Sequence, residues 1–271
     1  MYPYPLFWDF DLYTLLLCVG IAGAIITYRI FAERKNIYWR VQNLTVISTA
    51  LSVVVGYFSA VLFQALYNIG ERGKFILDER TGATFYGGLI GGAVCFLAVY
   101  FIAGRFVLKG KEHIKHFFDV ADIAAASICI AHAFGRIGCL MAGCCHGGVT
   151  EAWYGIYMQS MGAKVVPIQL YEALFLFLLF GFLCVRLLSA QSCGLPIYMA
   201  LYGVWRFIIE FYRRDSRGST VVNFLSPSQF IAVLMIIGAV GLYFGQMAIM
   251  KRLRAAESAA DAETAEVENE Q

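Results

Sequence analysis

Residues 131–147 read Ala-His-Ala-Phe-Gly-Arg-Ile-Gly-Cys-Leu-Met-Ala-Gly-Cys-Cys-His-Gly. The stretch opens inside an apolar run and closes on small residues and thiols, so it carries His132, Arg136 and His146 to the boundary between hydrocarbon and water. A guanidinium at bilayer depth costs at least a few kcal/mol, so an intramembrane arginine is by default a functional candidate facing a cavity or a partner. Its planar fork of donors suits a phosphate better than a point charge does. The sequence therefore points first to a site that grips a lipid phosphate.

Composition agrees with a membrane setting. Of 271 residues, 60% are apolar and 15% charged, and the mean hydropathy is +0.67. A net charge of +2 without a basic arm gives no support to nucleic-acid binding. Met1–Asp11 lacks the basic segment of a cleavable leader, and the first apolar run is long enough to span, so none is expected. Seven runs meet the length needed to cross about 30 Å of hydrocarbon; they lie near 12–32, 44–66, 86–108, 119–141, 168–188, 196–212 and 225–248. The fold expected is an all-α, polytopic, seven-helix membrane domain over residues 1–254. Residues 255–271, with six acids and no base, are expected to form a disordered cytoplasmic tail. Lys and Arg near the span ends number twelve on one side and seven on the other, which puts the N-terminus outside and the C-terminus in the cytoplasm. No internal repeat of the transporter kind is seen. His113 and His116, among lysines, read as solvated loop residues.

Several segments could carry chemistry. Tyr86-Gly87-Gly88-Leu89-Ile90-Gly91-Gly92 offers either close backbone approach to a ligand or tight helix packing. At about 100° per residue, Asp122, His132 and Arg136 fall within roughly 80° of one another on one helix face. Cys139-x4-Cys144-Cys145-His146 lacks the second ligand pair of a zinc site; packing or a disulfide ranks above a nucleophilic cysteine, and no metal or cofactor is expected. Gln169 and Glu172 share a helix face just after Pro167, as second-layer partners for the arginines or as an ordinary polar helix start. Tyr202-x3-Arg206-x3-Glu210-x2-Arg213 forms one helical stripe in which Glu210 can orient an arginine.

Jointly these motifs resemble the prolipoprotein diacylglyceryl transferase family. Tyr86–Gly92 resembles its His-Gly-Gly-Leu-Ile-Gly-Gly element, Gly135–Gly138 its Gly-Arg-Ile-Gly signature and Tyr202–Arg213 its Tyr-x3-Arg-x3-Glu-x2-Arg stripe; Val120–Asp122, Gln169–Glu172 and Ser228-Gln229 follow in family order. The resemblance covers nearly the whole chain apart from the acidic tail. It implies a bacterial plasma-membrane enzyme that moves the diacylglyceryl group of phosphatidylglycerol onto the lipobox cysteine of a preprolipoprotein and releases glycerol phosphate at the outer face. Arg136, Arg206, Tyr86 and His132 are then the expected catalytic residues. Tyr13, Gly87, Gly88, Gly91, Gly92, Gly135, Gly138, Cys139, Gln169, Glu172, Tyr202, Glu210 and Arg213 are the expected substrate-binding positions. The chain departs from the family pattern at Tyr86 (His), Cys139 (Asn) and Ala142-Gly143-Cys144 (Asn-Gly-Glu). A phenol is a poor base at neutral pH, so His132, one turn before Arg136, is expected to supply the lost imidazole. A paralogue with another acceptor, or a non-catalytic phospholipid-binding or flipping protein, are the alternatives.

Overall fold

A computed structural model describes residues 4–8, 10–73, 75, 77, 81, 82, 84–108, 111–213 and 225–269, without the side chains of 70–72, 85, 86 and 253–269. Eight α-helices and two short antiparallel hairpins make up the described chain. They are α1 (Leu12–Arg34), α2 (Trp39–Arg72), α3 (Phe85–Val107), the single turn α4 (Glu112–Lys115), α5 (Phe117–Ala142), α6 (Ile168–Leu188), α7 (Gly194–Ile209) and α8 (Pro227–Asn269). The hairpins pair β1 (Pro5–Phe7) with β2 (Phe10–Asp11) and β3 (Ile156–Met158) with β4 (Ala163–Val165). Six helices are long and apolar enough to cross a membrane; α7, with 16 residues, is not among them.

The chain divides into two compact units, residues 1–31 with 121–271, and residues 32–120. In the first, α5 is the most enclosed helix: half of its most apolar window is buried, against 39% for α6 and less for the others. The cause is small residues on its faces. α1 lies against it where Gly20 meets the Ala131 carbonyl, and Ala125, Ala126 and Ala133 are fully buried. Phe134 meets Phe177 of α6 edge-on, and Phe175 stacks on Trp205 of α7 with centroids 4.5 Å apart. α7 packs on α8 through Gly203, whose missing side chain leaves room for Ala232 and Ile236. Asp122, on the same face of α5 as His132 and Arg136, caps α7 rather than joining them. It accepts from the Leu195 amide at 3.0 Å and from Gln246 at 3.2 Å. At 1.5 Å per residue it sits about 15 Å from His132 along α5.

In the second unit α3 packs along α2. Ser59 donates to the Gly87 carbonyl at 2.9 Å, and a Cβ on Gly91 would lie 2.2 Å from Ser59 Oγ. Gly88 and Gly92 face Gly56, Ala60 and the Ser52 carbonyl in the same way. Of the two uses open to these glycines, packing is the one visible. Lys35 pairs with Asp119 at 2.6 Å. His113 is not solvated as expected. It is 3% exposed, with its ring over Gly104 and near Phe101 and Tyr100, because α4 folds back on the end of α3.

Three further differences from the sequence expectation concern elements. The loop after α5 holds β3 and β4, whose Met158 and Val165 are buried with Leu140 of α5. The stripe from Tyr202 does not run through Arg213: α7 ends at Ile209, Glu210–Tyr212 form a 3-10 turn, and Arg213 is extended. The backbone of α8 stays helical to Asn269, through the segment expected to be disordered; Ala and Glu, which dominate it, are strong helix formers.

Candidate functional site

The site is built on the inner faces of α5, α6 and α7, with the start of α8 behind it. Glu172, in the first turns of α6, is fully buried. A buried carboxylate requires partners, and the two neighbouring helices α5 and α7 provide them. Arg136 Nε of α5 lies 3.0 Å from Oε2. Tyr202 of α7 donates its hydroxyl to Oε1 at 2.8 Å. His132 Nε2 stands 3.8 Å from Oε1 and accepts from Arg136 Nε at 3.3 Å, so that nitrogen carries the lone pair of a neutral ring. His132 and Tyr202 meet edge-on, and Tyr198 stacks on Tyr202.

One turn beyond Tyr202, Arg206 forms a second pair. Its Nη2 lies 3.1 Å from Glu210 Oε2 and donates to Ser228 Oγ at 3.0 Å. Glu210 also accepts from Ser226 Oγ at 3.1 Å. The Arg206 charge acts on both Glu172 and His132, so the two pairs belong to one electrostatic cluster. Arg206 Nη1 is buried and has no hydrogen-bond partner among the described residues. A buried guanidinium donor left open is costly, and an anion oxygen is the group that would satisfy it.

Ser226 belongs to the site although the sequence analysis passed it over. Its Oγ accepts from the Gln229 amide, and Gln229 Oε1 accepts from the Ser226 amide. This reciprocal box starts α8, with Pro227 at the first helical position. The sequence signal was available as Ser-x-x-Gln before an apolar run.

The loop after α5 covers one end of the cluster. Gly147 and Val166 bond across it, with Gly147 N 2.9 Å from the Val166 carbonyl, and Gly148 donates to the Tyr212 carbonyl at 3.3 Å. Buried Gln169 donates its amide to the Cys144 carbonyl. Cys139, Cys144 and Cys145 are free thiols. The Cys145 thiol, beyond the end of α5, is pulled down to about 5, first by its hydrogen bond with Cys139 and further by Cys144 and the charges of Arg136 and Arg213. His146 Nδ1 lies 2.9 Å from the Gly147 carbonyl, apart from the thiols.

The expected site residues thus divide. His132, Arg136, Glu172, Tyr202, Arg206 and Glu210 form the cluster. Gln169, Cys139 and the buried Arg213 lie at its loop end, with Arg213 charge reaching Cys145. Tyr13 packs its ring on Gly138, while a side chain on Gly135 would meet nothing within 4 Å. Gly87, Gly88, Gly91 and Gly92 belong to the other unit, and the Tyr86 side chain lies outside the described residues, as do Arg214, Asp215 and Arg217.

Comparisons with known proteins carry the assignment further. Residues 6–245 match the family model described as prolipoprotein diacylglyceryl transferase. The chain is similar to phosphatidylglycerol-prolipoprotein diacylglyceryl transferase 2 of Clostridium perfringens (strain 13 / Type A), at 31% identity over 208 residues, 74% of this chain and 77% of that one. A phosphatidylglycerol-prolipoprotein diacylglyceryl transferase of Clostridium tetani is 30% identical over 83% of this chain and 88% of its own. One of Clostridioides difficile is 28% identical over 88% and 90%.

Proposed function

The chain belongs to the prolipoprotein diacylglyceryl transferase family, and on that footing we propose that it transfers the diacylglyceryl group of phosphatidylglycerol to the lipobox cysteine of a preprolipoprotein, releasing glycerol phosphate. It is a membrane transferase with no cofactor in this scheme. We place it in the bacterial plasma membrane with seven spans, α7 and the turn after it forming the short one, the N-terminus outside and the C-terminus in the cytoplasm. The site then opens toward the outer leaflet.

One observation carries the proposal. Arg136 and Arg206, from different helices, act on the same buried carboxylate, and Arg206 keeps a buried donor unpartnered among the described residues. A phosphodiester oxygen seated between the two guanidiniums satisfies that donor.

Transfer forms a bond from the acceptor sulfur to the glycerol carbon and breaks the carbon–oxygen bond to phosphate. The electron pair of the broken bond leaves on the phosphate oxygen, where Arg136 and Arg206 stabilise the growing charge in a dry site. Glu172 holds Arg136 and Tyr202 in place, and Glu210 with Ser228 holds Arg206. The thiol proton must go to a base. His132 Nε2 takes it: drawing Arg136 onto the phosphate withdraws the donor that now occupies that nitrogen.

The test supplies labelled phosphatidylglycerol and a lipobox peptide, then measures thioether-linked lipid and free glycerol phosphate. Arg206→Lys keeps the charge but loses the fork, and turnover should fall about 100-fold or more. His132→Gln should lose turnover while retaining lipid binding. Unchanged turnover in His132→Gln removes the base assignment, and lipid binding with neither product removes the transferase reading itself.

A further inference from the structure

The thiols at the loop end of the cluster have no part in the transfer scheme. After Cys139 the chain turns at Gly143 (φ +73°) and again at Cys145 (φ +59°), in the left-handed region that favours glycine. These turns return Cys144 and Cys145 to Cys139, and the three Sγ atoms lie within 4.8 Å of one another. The loop is fixed from several sides. The Cys144 amide donates to the Cys139 carbonyl at 3.1 Å, Ser160 donates to the Gly143 carbonyl at 2.7 Å, and Gln169 to the Cys144 carbonyl.

We propose that Cys139, Cys144 and Cys145 form a three-coordinate site for a soft monovalent ion of the Cu(I) type. Metal–sulfur bonds of about 2.3 Å in a trigonal plane require sulfur separations of roughly 4 Å, within the spacing the three thiols already have. No histidine or carboxylate among the described residues joins the set. Structural zinc calls for four tetrahedral ligands, whereas thiolates alone select soft ions such as Cu(I). A disulfide would join two sulfurs and leave the third beside them unused. Binding takes all three sulfurs as thiolates, so at neutral pH the protons still held by Cys139 and Cys144 pass to solvent, and the thiolate charge is offset by Arg136 and Arg213, whose charges reach Cys145.

The experiment titrates the full-length reduced protein in detergent with Cu(I) against a competing Cu(I) chelator, then alkylates the free thiols. One ion should bind per chain and protect Cys139, Cys144 and Cys145 while the other five of the eight cysteines react as before. Cys139→Ser, Cys144→Ser and Cys145→Ser should each weaken binding at least about tenfold, and Cys18→Ser and Cys95→Ser should leave it intact. The protection pattern is read on the unsubstituted chain, so it stands even where a serine variant fails to fold. Protection of only two of the three, tighter binding of Zn(II) than of Cu(I), or equal Cu(I) affinity in the triple serine variant would each overturn the proposal.

Discussion

The glycine-rich start of α3 and the charged faces of α5 and α7 both offer, in the sequence, a place to hold a lipid headgroup, the glycines with tight helix packing as their other reading. Their neighbours tell them apart. Around Gly91 the space that a side chain would fill is taken by Ser59, so the absent side chain is explained by a helix. Around Arg206 the charge is balanced by Glu210, yet one donor is left with nothing to bond among the described residues. An unusual residue type marks a constraint; whether the constraint is met inside the protein decides between packing and binding.

The largest expected effect breaks the charged side of that contrast. Removing one partner of a buried ion pair leaves the other uncompensated, at about 3–5 kcal/mol. Glu172→Gln should therefore destabilise the protein by about that amount in denaturant titrations in micelles, since Arg136 would keep its charge without Oε2. Arg136→Gln/Glu172→Gln should recover most of the stability and none of the transfer. Recovered transfer in the double variant would mean that the pair is scaffolding and the lipid phosphate is held elsewhere.

Next in size is the packing side. Gly91→Ala forces a Cβ onto Ser59, and overpacking of this kind costs about 1–3 kcal/mol. Ser59→Gly should rescue it, because the next atom, Ser59 Cα, is 3.9 Å away. If turnover stays low in the rescued double variant, the element has a ligand role beyond the contact with α2.

Much of the membrane architecture is legible in hydropathy, and α6 begins and ends at the predicted residues 168–188. Hydropathy cannot show which polar residue a given partner will claim. Asp122 shares a helix face with His132 and Arg136, but distance along the axis assigns it to the start of α7. The pairing of Glu172 with Arg136 joins helices more than thirty positions apart, a tertiary fact that spacing does not encode, although Arg136 was singled out by its cost in hydrocarbon and Glu172 as a partner open to the arginines. Arg213 left its stripe because helical periodicity was extended past the end of α7. The β3–β4 hairpin went unread since its strands are three residues each, too short for alternation to register.

Two smaller effects sharpen the contrast at its edges. Gly135 precedes Arg136 inside α5 but faces open space, so Gly135→Ala should cost no stability and add at most about 1 kcal/mol through helix propensity. A rise in KM with the melting temperature no lower would show that a ligand uses that space. Gly104, by contrast, is filled by the His113 ring. Burial holds His113 below its ordinary pKa of 6.5. Above that pH the imidazole is neutral whether the chain is folded or not, and it contributes no pH dependence. As pH falls through 6.5 the unfolded chain takes up a proton that the folded one resists, so stability declines until the folded pKa is passed. Melting temperatures recorded from pH 7.5 downward should fall more steeply for the unsubstituted protein than for His113→Gln. Parallel curves would mean that α4 opens readily enough to let the ring be protonated in place, and that Gly104 is not packed as Gly91 is.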